Sequence, residues 1–596
     1  MRVADYIVDF IARSLGCDRI FMVTGGGMMF LSDAVVCSDK TSAVCTHHEQ
    51  AAAMAATAYA KAGCGFGCAM VTTGCGGTNA VTGLLNAWQD GAKAFFISGQ
   101  VKRSQTIRNS GLPLRQFGVQ EADIVSIVSP LTKYAVMVNE PEMIAFHLEK
   151  AKYLAESGHP GPVWLDIPMD VQGAIIDEDK LIHFEAEKNV QSDLSGEIDF
   201  LKSALASSKR PVILAGQGID LAGVKEDFYR LIDQWQIPVV TSFLGGNSIA
   251  SKHPLYTGRI GTKGSRAGNL AVQNADMVLV LGCRLSVSTT GHEFRTFARA
   301  ARILVVDIDP TVEQKNTVKI DHFCQADLRD FLRAITFEYR CPEAWRQTAL
   351  HWKKQYPFFN TGYQNNTHGI DLYCFLEKLS FTLEKYPETA VISDAGSSFY
   401  AVTQALQLDD SQRYITSGGQ AEMGFSLPAA IGAAFRGFPL VAAITGDGSL
   451  QMNIQELQTV KHYNLPVKLF VWNNNGYLSI RATQQKFFDS RFIGTDARHG
   501  VSFPDLKKIA DAYGLPFIRI SGSCELTEKL EAVMRDDSPV ICEIMCNPSQ
   551  EIIPSVSSKR LPDGRMKSLP LEDMYPFLDR EEFLKNMFIE PLPEDF

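Results

Sequence analysis

The stretch LVAAITGDGSLQMNIQELQTVKHYNLPVKLFVWNNNGY, residues 440–477, decides the fold of this chain. An apolar run ends in Gly446-Asp447-Gly448-Ser449, a helical segment follows, and a second apolar run ends in Asn473-Asn474-Asn475-Gly476. Strand, helix, strand is the parallel βαβ unit. Consecutive parallel strands bring both C-terminal ends to one sheet edge, where open α/β sheets bind their ligands. Asp447, an Asn side chain of the triplet and a following backbone carbonyl would supply hard oxygen donors there. That set suits Mg²⁺, which completes its octahedron with water and phosphate oxygens. Gly446 and Gly448 let the backbone approach a diphosphate, and the helix start at Ser449 favours the anion. Either turn alone would read as an ordinary loop. Their pairing on consecutive strands points to a metal–phosphate site.

The same alternation runs outward in both directions. Toward the N-terminus, IFMV (20–23) meets Gly25-Gly26-Gly27, a helix is expected from Glu49 to Lys61, and CAMVT, TNAVTGLLNAW and AFFIS read as strand, helix and strand. This first unit closes near PGPVWLDIPMDV, giving a domain over 1–175. Residues 173–198 are polar and acidic and read as a linker. A second α/β unit holds MVLVLG and ARILVVDID within 190–340, and Cys341 to Thr367 reads as a connection. The third unit, 365–555, contains the opening stretch with AVISD and PVICEIM. The segment 556–596 loses periodicity and reads as an ordered lid or interface arm. The expected class is α/β with three parallel-sheet domains, since 596 residues exceed what one core accommodates.

Composition narrows the function. A net charge of −10 gives no reason to expect nucleic acid or an anionic membrane as partner. No run approaches the roughly 20 apolar residues of a membrane span, and the first residues lack a signal-peptide pattern. Thirteen cysteines without paired CxxC motifs fit reduced, mostly buried thiols in a cytoplasmic protein. Two further segments carry chemistry. CTHHEQAAAMAATAYA places Glu49 at the start of a small-residue helix after a strand, beside a cleft. TSGGQAEMGFSLPAAIGAA (416–434) is a Gly-rich turn before a buried helix.

Together with SDAGSS, VTTGCGGTN and SGQV, these motifs resemble, in order, those of thiamine diphosphate enzymes of the acetolactate synthase-like family. The resemblance covers nearly the whole chain as pyrimidine-binding, central and diphosphate-binding domains. It implies a metal held by Asp447, Asn474 and the Gly476 carbonyl; the three consecutive Asn leave the register open by one residue, and the family's spacing favours Asn474. It implies that Glu49 contacts N1′ of the aminopyrimidine and promotes the imino tautomer that takes up the C2 proton, a task for a carboxyl that shares protons readily when desolvated. Met423 would wedge beneath the cofactor, the Ala421 carbonyl would meet its 4′-amino group, and Ser397 and Ser398 would face the diphosphate. Gln120 matches an active-site Gln.

The chain departs from the family pattern where a Phe and a Trp are usual: Val119 and Thr483 stand there, and lost volume enlarges an acceptor pocket. AGQG (215–218) and GRIGTKGSRAGN (258–269) resemble flavin-holding segments, but GCRLSVSTTG lacks the family's acidic pair and Arg, so FAD stays open. The expected activity is decarboxylation of a 2-keto acid, pyruvate first, and transfer of its two-carbon unit to an acceptor carbonyl. Members tied to surface-polysaccharide sugars, with keto-sugar nucleotide acceptors, resemble the chain best. Acetolactate synthase or a simple decarboxylase is the alternative, and a catalytically silent scaffold the reading of another class. The resemblance also implies a homodimer or homotetramer with Glu49 and Asp447 meeting across the interface.

Overall fold

The computed structural model describes residues 1–186, 193–359, 368–560 and 565–593. Parts of the expected linker, of the 341–367 connection and of the C-terminal arm lie outside the described residues. Each of three sheets has six parallel strands, most of them short apolar runs. The inner strands, such as those at 67–71, 94–100, 163–168, 211–215 and 277–281, are buried on both faces, which is why they read as continuous apolar runs and not as alternating patterns.

The first sheet consists of β1 (Arg19–Met22), β2 (Ser42–Cys45), β3 (Gly67–Val71), β4 (Ala94–Gln100), β5 (Tyr134–Met137) and β6 (Val163–Pro168), in the order β2-β1-β3-β4-β6-β5. The central sheet consists of β7 (Pro211–Ala215), β8 (Val239–Thr241), β9 (Tyr256–Arg259), β10 (Met277–Leu281), β11 (Arg302–Asp307) and β12 (His322–Gln325), ordered β12-β11-β10-β7-β8-β9. The third consists of β13 (Thr389–Ser393), β14 (Arg413–Thr416), β15 (Leu440–Gly446), β16 (Val467–Asn473), β17 (Phe517–Ile520) and β18 (Val540–Met545), ordered β14-β13-β15-β16-β18-β17. The first and third sheets thus share one strand succession. In each, the order reverses direction beside its first strand, leaving a crevice at the strands' C-terminal ends.

By internal contacts the chain forms two units. One comprises the described part of Met1–Asn189 with Tyr386–Phe399 and Arg413–Pro548, so it holds the first and third sheets. Their shared core is built on small residues. The Ala-rich helix Glu49–Gly63 packs on the helix Ser426–Phe435, and a Cβ on Gly432 would lie 2.2 Å from the Ala55 carbonyl oxygen. A Cβ on Gly83 would come within 2.5 Å of Ala53. Only glycine permits backbones this close, which explains why Glu49 begins a helix of so little side-chain volume.

The other unit holds the central sheet and the C-terminal arm. Described residues of the arm dock on this unit. On the fully buried helix Arg266–Gln273, Arg266 donates to the carbonyls of Met574 and Pro576, Asn269 to that of Leu571 (3.0 Å), and Gln273 to the Glu572 carboxylate (2.6 Å). Arg299 pairs with Glu572 at 2.6 Å, and Asn274 just beyond the helix bonds to Asn586 and Phe588. No helix among the described residues is long and apolar enough to cross a membrane. None of the thirteen cysteines is in a disulfide among the described residues.

Candidate active site

The crevice of the third sheet collects the residues singled out by the opening stretch. β15 ends at Gly446, and Asp447 begins a short helix with 3% of its surface exposed. Its carboxylate accepts from the Gly448 amide (2.9 Å) and, across to the end of β16, from the Gly476 amide (3.1 Å). Burial pushes this carboxyl up to about 6, against the pull of those amides. Beside it Asn474 is 4% exposed, and its side-chain oxygen has no hydrogen-bond partner. A buried, unpartnered amide oxygen costs about 1–3 kcal/mol, so its presence calls for a ligand.

The triplet's neighbours are otherwise engaged. The Asn473 side chain donates to Glu543 on β18 (2.7 Å) and accepts from the Asn475 amide (3.0 Å). Asn475 is exposed in a left-handed conformation, φ 55°. The donor set of Asp447, Asn474 and a carbonyl fits a hard, oxygen-seeking cation. Among the described residues no cluster of three or more His, Cys, Asp or Glu offers an alternative. Two glycines secure the turn: a Cβ on Gly448 would lie 2.3 Å from the Tyr477 ring, and one on Gly476, φ 148°, would lie 2.1 Å from the Thr495 carbonyl oxygen.

Asp394, at the end of β13, went unremarked in the sequence. Fully buried, it accepts from Ser398 (2.8 Å), the Ala395 amide (2.7 Å), Thr445 (2.8 Å) and Ser449 (2.6 Å). It therefore ties the SDAGSS turn to the GDGS turn. The Ser398 hydroxyl is turned toward Asp394, while Ser397 is buried beside it. The signal was an acidic residue inside an otherwise apolar-to-glycine strand end. Arg481 was missed too; it donates to the Asn474 carbonyl at 3.1 Å.

The loop after β14 follows the same edge. Gly424 donates to Ser449 (2.8 Å) and accepts from Asn453 (2.9 Å), which seats the neighbouring Met423 near the turn of Gly446–Ser449. Ala421 is left-handed, φ 51°. In the first sheet, Glu49 opens its helix with 9% exposure and accepts from Asn79 (2.9 Å). His48 caps that helix through a bond from the Gln50 amide (3.0 Å). Gln120 is exposed and left-handed, φ 60°, with its carbonyl against Gly74, where a Cβ would lie 2.0 Å away. Val119 is 81% exposed, and Thr483 is exposed on the helix Leu478–Phe487, bonded to the Ser479 carbonyl at 3.0 Å.

The flavin-like segments of the central unit are engaged in contacts of the unit's own backbone and side chains. A Cβ on Gly216 or Gly218 would strike Gly282 at 2.0 and 2.6 Å, so close backbone packing accounts for both glycines. Asn269 is consumed by Gly261 (2.9 and 3.0 Å) and by Leu571 of the arm. Lys315 fills the turn at 284–285 by donating to both carbonyls.

Three family descriptions match the chain: "Thiamine pyrophosphate enzyme, N-terminal TPP binding domain" over residues 1–127, "central domain" over 198–335, and "C-terminal TPP binding domain" over 394–544. A probable acetolactate synthase large subunit of Methanocaldococcus jannaschii is 33% identical over 584 residues, covering 96% of this chain and 95% of its own. The acetolactate synthase large subunit of Lactococcus lactis is 30% identical over 554 residues, 91% and 92% of the two chains. Acetolactate synthase isozyme 2 large subunit of Escherichia coli is 29% identical over 576 residues, 96% and 100%. Similarity of this extent, running end to end through three domains, places the chain in the thiamine pyrophosphate enzyme family, among proteins of the acetolactate synthase type.

Proposed function

We propose that this enzyme decarboxylates a 2-keto acid, with pyruvate as donor, and joins the two-carbon unit to an acceptor carbonyl. The observation that carries the reading is the buried, unpartnered Asn474 oxygen beside Asp447 at the crevice of the third sheet. Asp447, Asn474 and the Gly476 carbonyl would hold Mg²⁺, and Gly446, Gly448 and Ser449 would bind the diphosphate whose charge the cation offsets. When bound, thiamine diphosphate supplies the nucleophilic carbon and the electron sink for CO₂ release. Glu49 would hold a proton at N1′ of the pyrimidine, the Ala421 carbonyl would orient the 4′-amino group, and Met423 would pack against the cofactor. Gln120 faces the substrate. Glu49 and Asp447 meet between two chains, so the smallest competent unit is a homodimer, and a tetramer is a pair of these. Flavin has no part in this reading.

The acceptor is larger than a keto acid, in the class of keto-sugar nucleotides used for surface polysaccharides. Support comes from Val119 and Thr483, small and exposed where the family carries aromatics. A second reading, acetolactate synthesis, is favoured by the names of the relatives. Labelled pyruvate offered with a panel of keto acids and keto sugars, read by mass spectrometry, decides between them. Coupling to keto sugars that Thr483→Trp suppresses while CO₂ release continues supports the large acceptor. Coupling to pyruvate or 2-ketobutyrate alone makes the enzyme an acetolactate synthase. Absence of cofactor-dependent CO₂ release from pyruvate overturns both.

A further inference from the structure

The loop between β14 and the helix Ser426–Phe435 is gripped by side chains from the first sheet's helices. Asp90, 1% exposed, accepts from the Gly418 amide (2.9 Å) and the Gly419 amide (2.8 Å). Lys61 donates to Asp90 (2.6 Å), to the Asn86 side-chain oxygen (2.7 Å) and to the Thr416 carbonyl (3.1 Å). The other end of the fully buried Asn86 amide donates to Glu422 (2.8 Å), whose second oxygen accepts from Ser417. Ser417 in turn accepts the Ala421 amide, at its carbonyl (3.0 Å) and its hydroxyl (3.2 Å). Lysine only donates and a carboxylate only accepts, so Asn86 satisfies both in one orientation alone. The chain of contacts ends on Ala421, whose left-handed backbone is one that residues with a Cβ rarely adopt.

A loop needing only to connect a strand to a helix has no use for a buried amide, a buried ion pair and a half-buried carboxylate. Such a network is expensive unless every member is satisfied, and when satisfied it rigidifies what it holds. We propose that Asn86, backed by Lys61 and Asp90, is a positioning residue that acts through Glu422 and Ser417 to fix the direction of the Ala421 carbonyl and the seat of Met423. The inference rests on the reading that this loop faces thiamine diphosphate. It adds that the loop's geometry is set by the first domain of the same chain, by residues that do not touch the cofactor.

The test reverses the polarity of one bond. Asn86→Asp sets a second carboxylate against Glu422 and removes the donor. Adding Glu422→Gln supplies a new donor at 422 to the new acceptor at 86, leaves Lys61 its partner and keeps the net charge of the network. Thiamine diphosphate binding is measured by calorimetry with Mg²⁺ on the full chain, together with hydrogen–deuterium exchange at C2 of the bound cofactor. Asn86→Asp is expected to weaken binding and slow exchange by roughly tenfold or more, the scale of one charge-assisted hydrogen bond. The double variant is expected to recover both. A merely structural role would move the melting temperature of the cofactor-free chain and leave C2 exchange in the bound state alone. Wild-type binding and exchange in Asn86→Asp, or a double variant no better than the single, overturns the proposal. If Asn86→Asp does not fold, Asn86→Ala takes its place with the same expected loss, since it creates no like-charge contact. Met423→Ala separates the two levels. If it leaves binding and exchange unchanged, the placement of the cofactor on this loop falls, and the positioning role with it. If Met423→Ala weakens both and Asn86→Asp neither, only the positioning role falls.

Discussion

Asn474→Leu should act in opposite directions on the empty and the loaded protein. In the cofactor-free chain the Asn474 oxygen is buried without a partner, a cost of about 1–3 kcal/mol that leucine, of similar shape, does not carry. The unit containing it has roughly 340 residues, and unfolding entropy is about 2.1 cal/mol/K per residue. The variant's melting temperature should therefore rise by about 1–4 °C without ligands. With Mg²⁺ and thiamine diphosphate the order inverts. The wild type gains a coordinate bond at this oxygen, whereas the variant presents a methyl group to the cation. Even outer-shell substitutions cost about 10–100-fold in metal affinity, so a lost direct ligand should cost at least that. Scanning fluorimetry with and without both ligands, supported by calorimetry, reads both effects. If the variant is less stable than wild type when empty, or still gains the wild-type stabilisation from Mg²⁺ and cofactor, the oxygen is not a metal ligand.

Glu49→Gln keeps the shape of the side chain but cannot share a proton, so C2 exchange of the bound cofactor should slow by about 10²–10⁴-fold; a wild-type rate would remove Glu49 from that role. Mixed Glu49→Gln and Asp447→Ala chains, each inactive alone, should regain activity as subunits exchange, and full activity in a monomer would contradict the paired site. Burial pushes the Asp166 carboxyl up to about 7, whereas in the unfolded chain it titrates near 4. Between these values the folded protein retains a proton the unfolded chain has released, so stability falls as pH rises through that window. Asp166→Asn should lose this component, worth on the order of 4 kcal/mol at most. Urea unfolding at pH 5 and pH 8 reads it, and identical pH dependence in both proteins refutes the assignment.

Much of the site was readable because it is written in local chemistry. Strand ends stop at Gly, Asp and Asn, helices begin at small polar residues, and these signals span only a few neighbours along the chain. Asp447, Glu49 and the 416–434 loop stood out for that reason. Their cofactor, however, came from a resemblance between ordered motifs, which periodicity by itself would not have supplied. Asp394 was passed over because its importance lies in four donors gathered from two turns some 50 residues apart.

By itself, then, the amino-acid sequence determined three α/β units, the order of their elements and the turn that carries Asp447. Apolar runs and glycine breaks act over short distances and leave little choice of local structure. The tertiary structure sets the three consecutive asparagines, among which the family spacing had favoured Asn474, in different surroundings. Pairing of β16 with β18 sets Asn473 opposite Met545 and within reach of Glu543, which takes up its amide and leaves the buried Asn474 oxygen as the unpartnered one. The docking of the C-terminal arm was equally a matter of three dimensions. Its partners, Arg266, Asn269 and Gln273, lie some 300 residues away in sequence, as their bonds to Pro576, Leu571 and Glu572 record. Contacts at that separation leave no periodic trace in the chain, because they depend on which surfaces meet after the local elements have formed.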